Sequence, residues 1–392
     1  MAAAQTDPVV IAGAGPVGLT AALLLARARV PVTVIEKRAR LSAASKASTF
    51  HPPTLALLHS LGVLEALQGR GQVVDRLQYR TANAGVFAEF PLSDLRDETP
   101  FPYRLHLEQA ELTAVLLDRL RDHSHARVLF ATEFIDVDPG PSAVRVVVRR
   151  EDGEQTMSCA YLIGADGSRS DVRASLHIAF EGEDYADKVL RVMTPDALEA
   201  LLPGIAPVTY LFNEGKSASF LRMADCWRII LRVPGSVDDT QALDPDWILA
   251  RLREVMPDCK RLPTQKMKDV YGVARRVAAR YREGRVVLIG DSAHITNTRG
   301  GMNMNCGLHD AFALAPVIAQ ALHDGDHDGV ARAADERRRV ATEMLIPRTD
   351  RNVSGGEAWL EQVERMAADP AKRVAHLRAT AMLDMAPAFA AA

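Results

Sequence analysis

A chain of 392 residues is long enough for a large core and two subdomains. Its 48% hydrophobic and 25% charged residues are the mixture of an ordinary globular protein, which excludes a disordered or fibrous chain. A net charge of −3 gives no global field for nucleic acid or an anionic membrane, so neither is expected as a partner.

The apolar run 9–28 follows Asp7 and is broken by Gly13, Gly15, Pro16 and Gly18, so neither a signal peptide nor a membrane anchor is expected. Instead it reads as a strand over 9–12 and a helix over 16–29, with a second strand over 32–36. This is a βαβ unit. Leu55, Leu58, Leu61 and Leu64 give 54–67 a helical period, and Leu112, Val115, Leu116 and Leu120 do the same for 109–121. The stretch 72–101 between them is strand-like. Strands follow over 143–149 and 156–163, and Gly164 and Gly167 mark a turn.

From 180 to 272 the pattern alternates, at 208–212, 217–223 and 227–233, with one helix over 246–255. A buried strand at 286–289 then leads into Gly290-Asp291, and a Gly-rich turn at 300–305 opens a long helix. Pro316 lies inside that helix and should kink it, at about 3 kcal/mol if unrelieved. The remainder, 329–383, is mostly helical. Arg337–Arg339 alternate with acids and read as a solvated face. Cys159, Cys226, Cys259 and Cys306 show no CxxC spacing. Reduced thiols in a cytoplasmic protein are expected, with no metal site.

Three motifs carry chemistry. Gly13-Ala14-Gly15-Pro16-Val17-Gly18 is a GxGxxG turn between strand and helix. Gly13 permits the turn, Gly15 lets the backbone approach a pyrophosphate, and Gly18 permits close packing. The helix N-terminus then faces the phosphates. Glu36, ending the second strand, can accept from ribose hydroxyls. The second motif, Gly164-Ala165-Asp166-Gly167, could by itself be a simple Asp-Gly turn. The third, Gly290-Asp291-Ser292-Ala293-His294, puts Asp291 at the carboxyl end of a strand, where α/β sheets bind ligands. His294 reads as a satisfied structural histidine.

In this order the three motifs resemble those of the single-component flavoprotein aromatic monooxygenases of the para-hydroxybenzoate hydroxylase type, over nearly the whole chain. The resemblance implies a mixed α/β fold. A Rossmann-like FAD-binding domain would come from 1–71, 104–179 and 273–328. An inserted sheet-rich substrate domain would come from 72–103 and 180–272, and 329–392 would form a helical C-terminal region. It also implies FAD contacts from Gly13, Gly15, Pro16, Val17, Gly18, Glu36, Lys37, Lys46, Gln109, Asp166, Gly290 and Asp291, with Asp291 on the ribityl chain.

The turn Gly301, Met302, Asn303, Met304, Asn305 would aim a helix N-terminus at the pyrimidine edge of the flavin, where reduced flavin is anionic. Two positions depart from the family pattern. The loop 295–299 lacks a proline, and Asn303 stands at a usual glycine position. If that position needs positive φ, Asn is the next best tolerated residue.

The implied reaction consumes NADPH or NADH and O2, and hydroxylates a small aromatic substrate through a C4a-hydroperoxyflavin. No catalytic base is assigned. Tyr210, Arg222, Tyr271, Asn297 and Thr298 are candidate substrate contacts. The protein would be a monomer or homodimer. The alternatives are a reductase or halogenase of the same fold, or a non-catalytic FAD-binding accessory protein. The halogenase WxWxIP signature is absent, since Trp227 stands alone.

Overall fold

The computed structural model describes residues 7–44, 47–83, 85–351 and 357–387, so Lys46 lies outside the described residues. Strand Val9–Ala12 runs parallel to Val32–Ile35 on one side and to Tyr161–Gly164 on the other. Ala126–Leu129 extends the sheet beyond Val32–Ile35, and Val286–Leu288 and Arg282–Glu283 extend it beyond Tyr161–Gly164. The inner strands are buried on both faces, as parallel strands sandwiched by helices must be. Helix Pro16–Arg27 packs against Asn303–Asp324 and Gln109–Arg121.

A second, seven-stranded sheet takes Arg76–Thr81 and Gly85–Pro91 from early in the chain and five strands from between residues 188 and 271. Its members are antiparallel except Val208–Asn213, which runs parallel to Arg76–Thr81 with Tyr210 opposite Tyr79. Side chains alternate between its faces. Leu211, Ala218 and Phe220 pack with Ile248 and Leu252 of helix Pro245–Val255. Tyr79, Val208 and Phe212 pack with Val363 and Leu377 of helices Glu357–Ala368 and Pro370–Thr380. The C-terminal helices therefore cover the face on which Tyr79 and Phe212 lie.

Two smaller sheets join distant segments. Thr49–Phe50 and Gln72–Val74 flank Arg104–His106, and Ala274–Ala278 lies between Phe180–Asp184 and His294–Ile295.

Three expectations are corrected. The helix over 54–67 is two, Pro52–Ser60 and Leu64–Gln68, because Gly62 between them takes φ 66°. The strand over 156–163 is two, Gly153–Cys159 and Tyr161–Gly164, in different sheets. Helix Asn303–Asp324 carries Pro316 within its span, as expected. That residue is exposed, and the carbonyl it leaves without a partner, that of Phe312, is on a half-exposed residue. Arg337 is not on a solvated face: it is buried, while Arg339 is exposed beside Glu336 and Glu343. Among the described residues no helix is long and apolar enough to cross a membrane.

Candidate FAD and substrate site

The motifs converge at the carboxyl ends of the six-stranded sheet. Gly13 takes φ 105°, and a Cβ there would meet the Ala165 carbonyl oxygen at 2.4 Å, so the first and second motifs touch backbone to backbone. A Cβ on Gly18 would lie 2.1 Å from the Gly13 oxygen, which only glycine allows. A Cβ on Gly15 would meet nothing within 4 Å. That open space lies at the start of helix Pro16–Arg27, whose first turn carries no acidic residue and whose N-cap makes no side-chain hydrogen bond. Its free N–H groups suit a pyrophosphate.

Glu36 is nearly buried. One carboxylate oxygen accepts from the Ala14 N–H at 3.0 Å and the other from the Arg38 N–H at 3.0 Å. It is fixed against the glycine turn with lone pairs left for a ribose. Lys37 pairs with Asp171 at 3.7 Å. Asp166 accepts from the Val172 N–H through one oxygen. Its other oxygen is buried with no partner among the described residues, and burial pushes the carboxyl up.

The third motif joins them. Gly290 takes φ 63°, and a Cβ there would meet Val17 at 3.1 Å, while a Cβ on Gly307 would meet the Gly290 Cα at 2.8 Å. Val17 of the first helix, Gly290 and the first turn of helix Asn303–Asp324 thus share one junction. Asp291 is exposed there and accepts from the Asn303 amide at 2.9 Å. The positive-φ residues of the next turn are Gly300 and Gly301, whereas Asn303 is already helical, so that position needs no left-handed residue.

Asn305 stitches this turn to the segment beside Gln109. Its amide donates to the Thr49 and Gly301 carbonyls at 2.8 and 2.7 Å and accepts from the His51 N–H at 3.0 Å. The Gln109 N–H in turn donates to the Ala47 carbonyl at 3.1 Å.

His294 is buried and satisfied, as expected, with Nδ1 3.0 Å from Asn303 Oδ1 and Nε2 2.9 Å from Asp310 Oδ2. Burial opposes its charge, but Cys306 and Asp310 outweigh it and hold the imidazolium well above its ordinary range. Burial likewise raises Asp310, yet His294 and Arg337 hold its carboxyl below the usual range. His294, Cys306 and Asp310 each offer a ligand-type atom within 4.8 Å of the others. Arg337 donates to both Asp310 and Cys306, so a guanidinium already stands where a cation would.

Beside this junction lies a cavity lined by Tyr79, Arg104, Tyr210, Phe212, Arg299 and Trp359 and bounded by Gly300 and Met302. Of the expected substrate contacts only Tyr210 lines it. Arg222 lies 5.5 Å over the Trp227 ring, and its carbonyl accepts from His106. Tyr271 hydrogen-bonds Thr298. Asn297 is buried between the Tyr185 hydroxyl and the Arg299 N–H.

Arg104, Arg299, Phe212, Tyr79 and Trp359 were not anticipated from sequence. An arginine amid the apolar Leu105 and Leu107 was a signal for the first. Trp359 lies on a helix that only the tertiary fold brings over the sheet.

Comparison with known proteins agrees with this geometry. A family described as "FAD binding domain" matches residues 6–346. The 6-hydroxy-3-succinoylpyridine 3-monooxygenase of Pseudomonas putida is 32% identical over 354 residues, 88% of either chain. The para-nitrophenol 4-monooxygenase of a Pseudomonas species is 28% identical over 94% of this chain and 89% of its own. The p-nitrophenol 4-monooxygenase structure from Pseudomonas putida superposes with a TM-score of 0.88 at 24% identity, over 95% of this chain and 96% of that one. These relatives do not favour the reductase, halogenase or accessory-protein alternatives. The chain belongs to the FAD-binding family of flavoprotein aromatic monooxygenases.

Proposed function

We propose that the chain binds FAD across the junction of its three motifs and hydroxylates a small phenolic or heteroaromatic ring held in the adjoining cavity. The observation that carries this is the shared wall: Gly300 and Met302, at the start of helix Asn303–Asp324, also bound the aromatic-lined space.

Gly13, Gly15, Pro16, Val17 and Gly18 cradle the pyrophosphate, Glu36 accepts from the adenosine ribose, and Asp291 with Gly290 meets the ribityl chain. Lys37, Gln109 and Asp166 flank the same path. Residues 301–305 donate to the pyrimidine edge through the helix N-terminus. The residues fit the group: Gly15 leaves room, and Asp166 keeps an unpartnered oxygen.

FAD bound there supplies the redox chemistry, accepting hydride from NADH or NADPH and delivering one atom of O2 to the ring. The chain's own tasks are to place the ring, offer donors where negative charge develops, and exclude water. The Trp359-bearing helix excludes water on the side facing the seven-stranded sheet.

The division into an FAD-binding lobe (1–71, 104–179, 273–328), a substrate lobe (72–103, 180–272) and a C-terminal helical region (329–392) belongs to this proposal. It is supported by the six- and seven-stranded sheets, each assembled from distant segments. So does a cytoplasmic location, supported by four free, buried cysteines, and a monomer or homodimer.

The test is the purified protein's flavin absorbance, followed by NADH and NADPH oxidation with an array of phenols under O2. Expected is bound flavin, with oxidation accelerated by at least one aromatic and a hydroxylated product formed. Flavin-free protein, or oxidation that no aromatic accelerates, would refute it.

A further inference from the structure

The loop 295–299 has no proline to fix its backbone, yet it leads directly into the wall that the flavin site and the cavity share. Side chains fix it instead. Asn297 has no exposure to solvent. Its Oδ1 accepts from the Arg299 N–H at 3.0 Å, closing a turn of the kind asparagine favours, and its Nδ2 donates to Tyr185 Oη at 3.2 Å. Arg299 lines the cavity, Gly300 bounds it, and the Gly301 N–H donates back to the Thr298 carbonyl at 3.2 Å. The Asn297 carboxamide thus governs how the chain enters the shared wall.

A carboxamide can face either way, and a neighbour has to choose. Tyr185 Oη donates to Oδ1 of Asp350, on helix Ile346–Arg351. A carboxylate only accepts, and Arg275 donates to its other oxygen. The one phenol proton is therefore committed to Asp350, and toward Asn297 the phenol can only accept. Nδ2 then faces Tyr185, and Oδ1 is left for the Arg299 N–H. Burial pushes the Tyr185 phenol up, and Asp350 adds to this against the opposing Asn297 donor, so the proton stays on the oxygen.

Tyr185 is itself held from outside the loop. Its N–H donates to the Val273 carbonyl at 3.0 Å, and the Arg275 guanidinium lies 6.0 Å over its ring. Direction passes along one line of groups, from Arg275 through Asp350, Tyr185 and Asn297 to the Arg299 N–H.

We propose that Tyr185 is a positioning residue for the hydroxylation: through Asn297 it sets the backbone of residues 299–301 and so the placement of the aromatic ring against the flavin. Asn297 is then a relay rather than a substrate contact. This role rests on the hydroxylase reading, which supplies the ring and the flavin, and deepens it.

Hydrogen-bond direction can be reversed with little change of shape. In Asp350→Asn, Arg275 holds the amide oxygen, so the NH2 faces Tyr185 and drives the phenol proton toward Asn297. In Asn297→Asp, two carboxylates compete for that proton. Each single change breaks the line. The double variant Asn297→Asp/Asp350→Asn restores it in reverse: the amide at 350 donates to Tyr185, the phenol donates to the carboxylate at 297, and the second oxygen there still accepts from the Arg299 N–H.

The experiment measures kcat/KM of FAD-loaded enzyme with the phenol that most accelerates NADH or NADPH oxidation, beside bound flavin and the urea midpoint. Tyr185→Phe and both single swaps should each lower kcat/KM about ten-fold with FAD still bound. The double swap should recover most of that loss. A tie that is merely structural would instead let the two single losses add. Tyr185→Phe turning over like the parent overturns the proposal, as does a double variant no better than its worse single. Should the double variant fail to fold, Tyr185→Phe still decides. An active hydroxylase indifferent to these changes loses this role alone, whereas a protein without flavin, or one that no phenol accelerates, loses the hydroxylase reading as well.

Discussion

Nε2 of His294 lies 2.9 Å from Oδ2 of Asp310, and neither side chain has any exposure to solvent. The other Asp310 oxygen accepts from Arg337 Nε at 2.8 Å, and Oδ2 also accepts from the Gly290 N–H at 3.1 Å. One carboxylate therefore ties the Gly290 turn, the loop histidine and the C-terminal helical region together. Through Nδ1, His294 orients the Asn303 amide, which donates to Asp291.

Replacing Asp310 by Asn should be severe. It leaves Arg337 buried without its counter-charge, and loss of one partner of a buried pair costs about 3–5 kcal/mol. The expected outcome is a lower urea midpoint together with weaker FAD retention, since Gly290 and Asn303 lose their common anchor. The mild variant His294→Gln can still hydrogen-bond and should lower FAD affinity more than stability. Equal flavin retention in both variants and the parent would contradict the coupling.

The same triad sets a pH window. The folded value of His294 is raised, so its contribution is complete below the unfolded value of about 6.5 and is lost as pH rises through the folded value. Asp310 is depressed, so its contribution holds above about 3.9 and is lost on acidification.

Other histidines act oppositely. Burial drives His106 and His309 down to about 3 and His376 to about 4. The unfolded chain then takes up protons that the fold refuses, so stability should fall steadily as pH drops below about 6.5. Removing His376 with His376→Gln should flatten the slope between about pH 6 and 4 by about 1.4 kcal/mol per pH unit, in urea titrations at several pH values. An unchanged slope would mean that His376 is solvated.

The glycine motif separates binding from folding. Gly15 faces open space with φ −75°, so Gly15→Val should leave the apoprotein's melting temperature nearly unchanged while reducing bound FAD more than ten-fold. Gly18→Ala should do the reverse, destabilising the apoprotein because its Cβ strikes the Gly13 oxygen at 2.1 Å. Melting curves of apoprotein beside flavin content decide between these outcomes.

These two glycines also show what the sequence makes legible. A turn between strand and helix is a local matter, so Gly13–Gly18, Glu36 and Gly290–Asp291 could be recognised from the residues around them. The cavity could not. Tyr79 and Tyr210 stand side by side only because strands 131 residues apart in number pair in parallel, and local periodicity carries no register between distant strands. The burial of Arg337 was illegible for the same reason: it sits in a run of charges of which Glu336 and Arg339 are exposed, and its partner lies 27 residues away on another helix. Alternation gives Arg222 a face of the sheet, while its stack on Trp227 depends on the adjoining strand.

Trp359 should control how completely oxidation is coupled to hydroxylation. Its ring lies 5.8 Å from that of Tyr79 and 5.5 Å from that of Phe212, closing the cavity from the C-terminal helices. Trp359→Ala removes one wall without touching the glycine motif, Glu36 or Asp291, so FAD should remain bound. Water then gains entry to a site whose chemistry depends on its exclusion. The variant should oxidise NADH or NADPH at a rate near the parent's, yet release several-fold more hydrogen peroxide per hydroxylated product. Trp359→Phe keeps an aromatic wall and should recover most of the coupling. Peroxide yield and product are measured in the same reaction, so a general loss of activity would lower both together. Only a rise in their ratio, reversed by phenylalanine, supports a water-excluding role for this side chain.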